Sequence, residues 1–83
     1  MAITIRQYVK FLDKEQKIKL FKNADLTEEE YWLLTYAYIE NRMVVNTCRK
    51  LNMSEAKYHY KLNEALIKLK YEIINNPKIY SLL

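Results

Sequence analysis

The chain contains no glycine and a single proline. Every tight turn must therefore be made by a residue that carries a Cβ, and folds that depend on glycine loops are closed to it. A dinucleotide fingerprint, a phosphate-binding P-loop and an Asn-Gly hairpin are all absent. Asparagine is the next residue able to occupy left-handed backbone, and Asn23, Asn41 and Asn52 stand where helices plausibly end. The sequence reads as helices punctuated by asparagine.

Helix starts are marked as clearly. Thr27-Glu28-Glu29-Glu30 is a capping box with three carboxylates facing the positive end of the helix dipole, which predicts a helix over 28–40. Asp13 with Gln16 is a second such box. The polar run Asp13 to Lys17 interrupts the apolar stripe of Ile5, Tyr8 and Leu12, so the N-terminus divides into helices over 4–12 and 14–22. Ser54 caps a long helix to Asn75, in which Tyr58, Leu62, Ala65, Leu69 and Ile73 share one face, and Pro77 stops it. A short helix over 43–51 fills the gap. With no strand pattern and no internal repeat, the expected fold class is all-α.

At 83 residues this is one domain, 1–83, in which 1–24 reads as an N-terminal helical extension, 26–74 as the core and 75–83 as a tail. Cys48 and His59 are the only residues of their kinds, so a disulfide framework and a zinc site of Cys and His ligands are excluded. Cys48 is expected to be a small buried apolar group. No cofactor is implied. No apolar run reaches the roughly 20 residues of a membrane span, and Met1 to Lys10 lacks the apolar stretch of a signal peptide, so a cytoplasmic location is expected.

The net charge of +4 is unevenly spread: residues 1–23 carry +4, residues 24–41 carry −5 and residues 42–83 carry +5. The acidic and basic segments are not expected to face the same polyanion.

Two helices joined by Asn52-Met53, the second capped by Ser54, have the spacing of a helix-turn-helix. Around them, Leu26, Glu30, Leu34, Tyr38, Glu40, Leu51, Met53, Ser54, Leu62, Ala65, Lys68 and Leu69 align without a gap to a known pattern. It reads L-x-x-x-E-x-x-x-L-x-x-x-Y-x-E-G, then A-x-x-L-G-I-S, then L-x-x-A-x-x-K-L. Over residues 26–69 the chain thus resembles region 4 of bacterial RNA polymerase sigma factors, with Asn41 and Asn52 in place of the family's two glycines and Cys48 in place of a small alanine. The size leaves no room for the domain with which a sigma factor melts promoter DNA. The resemblance therefore implies a small stand-alone regulator of the phage or mobile-element type, an all-α protein with a helix-turn-helix core.

A helical wheel over 54–75 turns Ala56, Tyr60 and Asn63 away from the core face, with Lys57 and Glu64 on one flank and His59 on the other. The family's base-reading positions fall on Glu55, Ala56, His59 and Tyr60. Glu55 could accept from cytosine N4, and the Ala56 methyl could meet a thymine methyl. Arg42, Arg49, Lys50, Ser54, Lys57 and Lys61 are the expected phosphate contacts. The expected partner is double-stranded DNA, with RNA polymerase as a further anchor. The alternative is an interaction module that binds polymerase or a sigma factor through the aromatic and acidic surface of 28–40 without reading DNA. An enzyme is not expected, since no nucleophile–base pairing or paired-carboxylate signature is present.

Two stripes are more apolar than a lone helix-turn-helix can bury. On the helix over 28–40, Thr35 is the only polar residue between Tyr31 and Ile39. On the long helix, Ile67, Tyr71 and Ile74 continue the line of Tyr60 outside the core stripe. One expectation is that Ile5, Tyr8, Leu12, Ile18 and Phe21 cover a Trp32, Tyr36 and Ile39 face, while Ile67, Tyr71, Ile74 and the tail residues Ile79, Tyr80, Leu82 and Leu83 form a homodimer contact. The other assigns all of them to one intramolecular core.

Overall fold

The computed structural model describes residues 4–77, and these form helices with no strand among them. They are α1 (Ile5–Phe11), α2 (Lys14–Asn23), α3 (Glu28–Leu34), α4 (Val44–Leu51) and α5 (Glu55–Asn75). A π-helical turn, Thr35–Ile39, prolongs α3. The chain is all-α, and the helices begin and end within one residue of their predicted spans.

Local chemistry accounts for these starts. Thr27 Oγ1 accepts from the Glu30 amide at 3.2 Å while Glu30 Oε1 accepts from the Thr27 amide at 2.8 Å. Asp13 and Gln16 repeat the arrangement at 2.8 and 3.0 Å. Thr4 and Gln7 form a third box that the sequence reading passed over. Ser54 caps α5 by accepting from the Lys57 amide at 3.2 Å. Each such cap is worth about 1 kcal/mol. Met43, before α4, provides no side-chain cap.

Asn41 and Asn52 take left-handed backbone, with φ of 54° and 53°. Both are the turns expected of asparagine in a chain without glycine. Asn23 is not: it is the last residue of α2, and Ala24 leaves the helix in extended geometry, because the chain runs on toward α3 without reversing.

The long helix α5 packs against each of the other four. Its inner face, Tyr58, Leu62, Ala65, Leu66 and Leu69, joins Val9 and Leu12 of the α1 segment, Leu20, Phe21 and Ala24 of the α2 segment, Leu33, Leu34 and Tyr38 of the α3 segment, and Cys48 of α4. The N-terminal helices thus share the core of the rest of the chain. Cys48 is buried, as expected, and burial pushes its thiol pKa up, with the nearby Glu55 carboxylate adding to the rise.

Of the face expected to be covered by the N-terminal helices, Ile39 packs against the central cluster and Trp32 does not. Leu12 and Phe21 enter the central cluster beside Leu33 and Leu34, with Ile5 and Tyr8 at its margin, while Trp32 stays 40% exposed. Val9 and Leu20, fully buried, are the true anchors of α1 and α2. Tyr36 is covered by other means, described below.

Among the described residues one charged side chain is buried. Glu30, 2% exposed, completes the α3 capping box and also accepts from Lys68 Nζ at 2.7 Å, which ties α3 to α5. Burial alone would raise its pKa, but hydrogen bonds from Lys68 and Thr27 outweigh that and hold it below the ordinary carboxylate value. A second long-range tie comes from Lys17, whose ammonium donates to the Tyr38 carbonyl at 2.8 Å, where the π-helical turn ends.

Candidate functional site

Helices α4 and α5 are joined by three residues, 52–54. Left-handed Asn52 makes the reversal, the Met53 amide donates back to the Cys48 carbonyl at 3.0 Å, and Ser54 starts α5. The elbow holds an open cleft of about 530 Å³ lined by Val45, Cys48, Arg49, Asn52, Met53, Ser54 and Glu55.

From this elbow the first turns of α5 project an exposed face. Ala56, Lys57, His59 and Tyr60 are all exposed, and Tyr60 reaches 62%. The Tyr60 hydroxyl is hydrogen-bonded to Glu64, one turn on, and this bond raises its phenolic pKa. The His59 ring meets Tyr58 edge to face, with centroids 5.2 Å apart and planes at 86°, so a core residue orients an exposed imidazole. Glu55 stands at the first turn of the same helix. It is exposed like them and, four residues before His59, shares that side of the helix, while it also lines the elbow cleft with Arg49.

The six expected phosphate contacts fall into three groups. Arg49 and Ser54 line the elbow cleft, and Lys57 stands exposed beside it on α5. Lys61 lies 3.8 Å from Glu29 of α3. Arg42 and Lys50 gather at Tyr36: the Arg42 guanidinium is 5.1 Å from the ring centroid and the Lys50 ammonium 5.5 Å, while Arg42 Nε donates to Glu40 Oε1 at 2.6 Å. Trp32 stacks on Tyr36, with centroids 5.7 Å apart and planes at 27°, and meets Tyr31 edge to face at 5.6 Å. This array of cations and rings buries Tyr36 outside the hydrophobic core. Sequence reasoning missed it, since Arg42 and Tyr36 share no helical spacing and are brought together only by the turn at Asn41. The basic second half is also partly neutralised by the acidic middle, through Lys61 with Glu29 and Lys68 with Glu30.

Ile67, Tyr71 and Ile74 are 44%, 62% and 58% exposed, so the second apolar stripe remains open. Tyr80, assigned to the same contact, lies outside the described residues, as do Ile79, Leu82 and Leu83. Among the described residues no group of three or more His, Cys, Asp or Glu side chains is placed to hold a metal ion. No helix of these residues is long and apolar enough to cross a membrane.

No protein-family model, curated protein or solved structure matches the chain.

Proposed function

We propose that this chain is a non-enzymatic, sequence-specific DNA-binding regulator of transcription. In this reading α4, the 52–54 turn and α5 act as a helix-turn-helix of the sigma region 4 type. The observation that carries it is the first two turns of α5. They start at a capped, left-handed elbow and leave Ala56, His59 and Tyr60 exposed, with Lys57 beside them and Arg49 at the elbow. A recognition helix reads base edges from its N-terminal residues, while flanking cations and amides hold phosphates. Ala56 offers a methyl to thymine. Tyr60, already donating to Glu64, is left to accept from cytosine or adenine amino groups. Glu55, exposed at the elbow, offers a carboxylate to cytosine N4.

A single motif with few phosphate contacts binds weakly at physiological salt. The reading therefore includes pairing of two copies through Ile67, Tyr71 and Ile74, which sets two recognition helices on successive major grooves, about 34 Å apart. Selection from a random-sequence DNA pool at two salt concentrations tests it: a consensus should survive at the higher salt. Tyr60→Ala with Lys57→Ala should abolish enrichment and leave the helical circular dichroism unchanged, since neither side chain is in the core. Enrichment that persists in the double variant overturns the reading.

A further inference from the structure

Arg42 and Lys50 come from different segments, the stretch after Asn41 and the last turn of α4, yet both end at the ring of Tyr36. Several contacts fix them there. Left-handed Asn41 reverses the chain so that the Arg42 amide donates to the Tyr36 carbonyl at 2.8 Å, which sets the root of its side chain beside the ring. Glu40 accepts from Arg42 Nε at 2.6 Å, and the guanidinium comes to 5.1 Å from the ring centroid. The ring itself is held by burial and by its stack on Trp32. Neither cation is neutralised by it, because a ring attracts a cation without cancelling its charge. Glu40 takes only the Nε hydrogen of Arg42, whose side chain stays 38% exposed, and Lys50 is exposed with no ion-pair partner among the described residues. Two positive charges thus meet at one ring against a single carboxylate.

We propose that Tyr36 is a positioning residue for DNA, whose ring holds Arg42 and Lys50 ready as a pair of contacts to the phosphate backbone. This rests on the DNA reading above and names a part of the chain that anchors the recognition helix. Lys50 is the neighbour of Arg49, which lines the elbow cleft with Ser54, so the pair stands at the end of α4 from which α5 departs. Phosphate is the ligand that the chemistry selects. The remaining guanidinium hydrogens and the ammonium are donors only, and a diester oxygen asks for donors and positive charge. The contribution of the ring is entropic. Long cationic side chains lose rotamer freedom when they grip a phosphate, and a ring that already confines them removes that loss from the binding step.

The experiment changes the electrons of the ring and keeps its shape. Position 36 carries tyrosine, phenylalanine or trifluorophenylalanine, whose fluorines withdraw negative charge from the ring face, each in the native chain and in an Arg42→Ala, Lys50→Ala background. Affinity is measured by anisotropy of two labelled duplexes, one with the selected consensus and one of unrelated sequence, at several salt concentrations. Tyr36→Phe should bind within about twofold of the native chain, since the ring face is kept. The fluorinated ring should bind roughly fivefold more weakly, by the same factor on both duplexes, because phosphates carry no sequence. In the Arg42→Ala, Lys50→Ala background the three rings should bind alike, and the salt slope of log affinity should be shallower by about two. Helical circular dichroism checks that the ring exchange keeps the fold. The proposal is overturned if fluorination weakens binding equally with and without the two cations, or if it alters the preference between the duplexes. A native chain that binds neither duplex overturns the DNA reading and this proposal with it. A native chain that binds, with a fluorinated ring that changes nothing, overturns this proposal alone.

Discussion

Two apolar faces lie outside the core, and they end differently. On α3 and its π-helical extension, Tyr36 is covered by the stacked Trp32 and by the cations of Arg42 and Lys50. On the outer side of α5, Ile67, Tyr71 and Ile74 stay open. The difference is chemical. An aromatic face carries negative potential and can be covered by a cation whose charge still reaches water, an option open to Tyr71 as well, whereas Ile67 and Ile74 offer no such field and can be hidden only by another apolar surface. It is also topological, because left-handed Asn41 turns the chain so that Arg42 falls back over Tyr36, while α5 runs on without a turn.

The contrast can be broken at several points. The largest effect is expected across the two sides of α5. Leu69→Ala on the buried side should cost about 2–5 kcal/mol by chemical denaturation, whereas Ile67→Ala on the open side should cost less than about 0.5 kcal/mol in a monomer. A cost for Ile67→Ala that grows with protein concentration would show that a second copy covers the stripe. Next comes the turn. Asn41→Ala places a Cβ-bearing residue of poor left-handed propensity at φ 54° and should cost about 1–2 kcal/mol, with Asn41→Gly close to the original protein. Loss of stability in Asn41→Gly would mean that the asparagine side chain, and not its backbone, holds the turn.

Glu30 joins the covered face to α5, and its effect depends on pH. Its folded pKa lies below the ordinary carboxylate value of 4.5, so its contribution is fully present above that value and is lost as pH falls through the folded pKa. Glu30→Gln should lower stability by on the order of 1–2 kcal/mol at neutral pH and flatten the loss on acidification. An unchanged acid limb in the variant would show that Glu30 is not the group responsible. The smallest effect belongs to the cations themselves: Arg42→Ala should cost about 0.5–1 kcal/mol and alter Trp32 emission through Tyr36. Unaltered emission would mean that Arg42 does not order the stack.

Much of this was legible because it is local. The capping pairs Thr27–Glu30 and Asp13–Gln16 and the stop at Pro77 act over a few residues, and periodicity alone assigned Tyr58, Leu62, Ala65 and Leu69 to the core face. The exposure of Ala56, His59 and Tyr60 followed from the same wheel. That Glu55 also lines the elbow cleft was not legible, since the cleft is formed by α4 and the turn as well as by α5. The π-helical turn at Thr35–Ile39 had no local mark, since its hydrogen bonds depend on where the chain goes next.

The sequence by itself determined the helices and the two left-handed turns. Without glycine, the reversals after α3 and α4 had to fall to Asn41 and Asn52, the residues that bear positive φ at least cost. Tertiary structure alone decided which apolar faces are covered and which cations are spent. Glu30 with Lys68, Lys17 with the Tyr38 carbonyl, and Arg42 and Lys50 with Tyr36 are contacts between groups that no helical period relates. Those contacts exist because helix packing and the turn at Asn41 bring the segments together, and a one-dimensional pattern carries no distance between them.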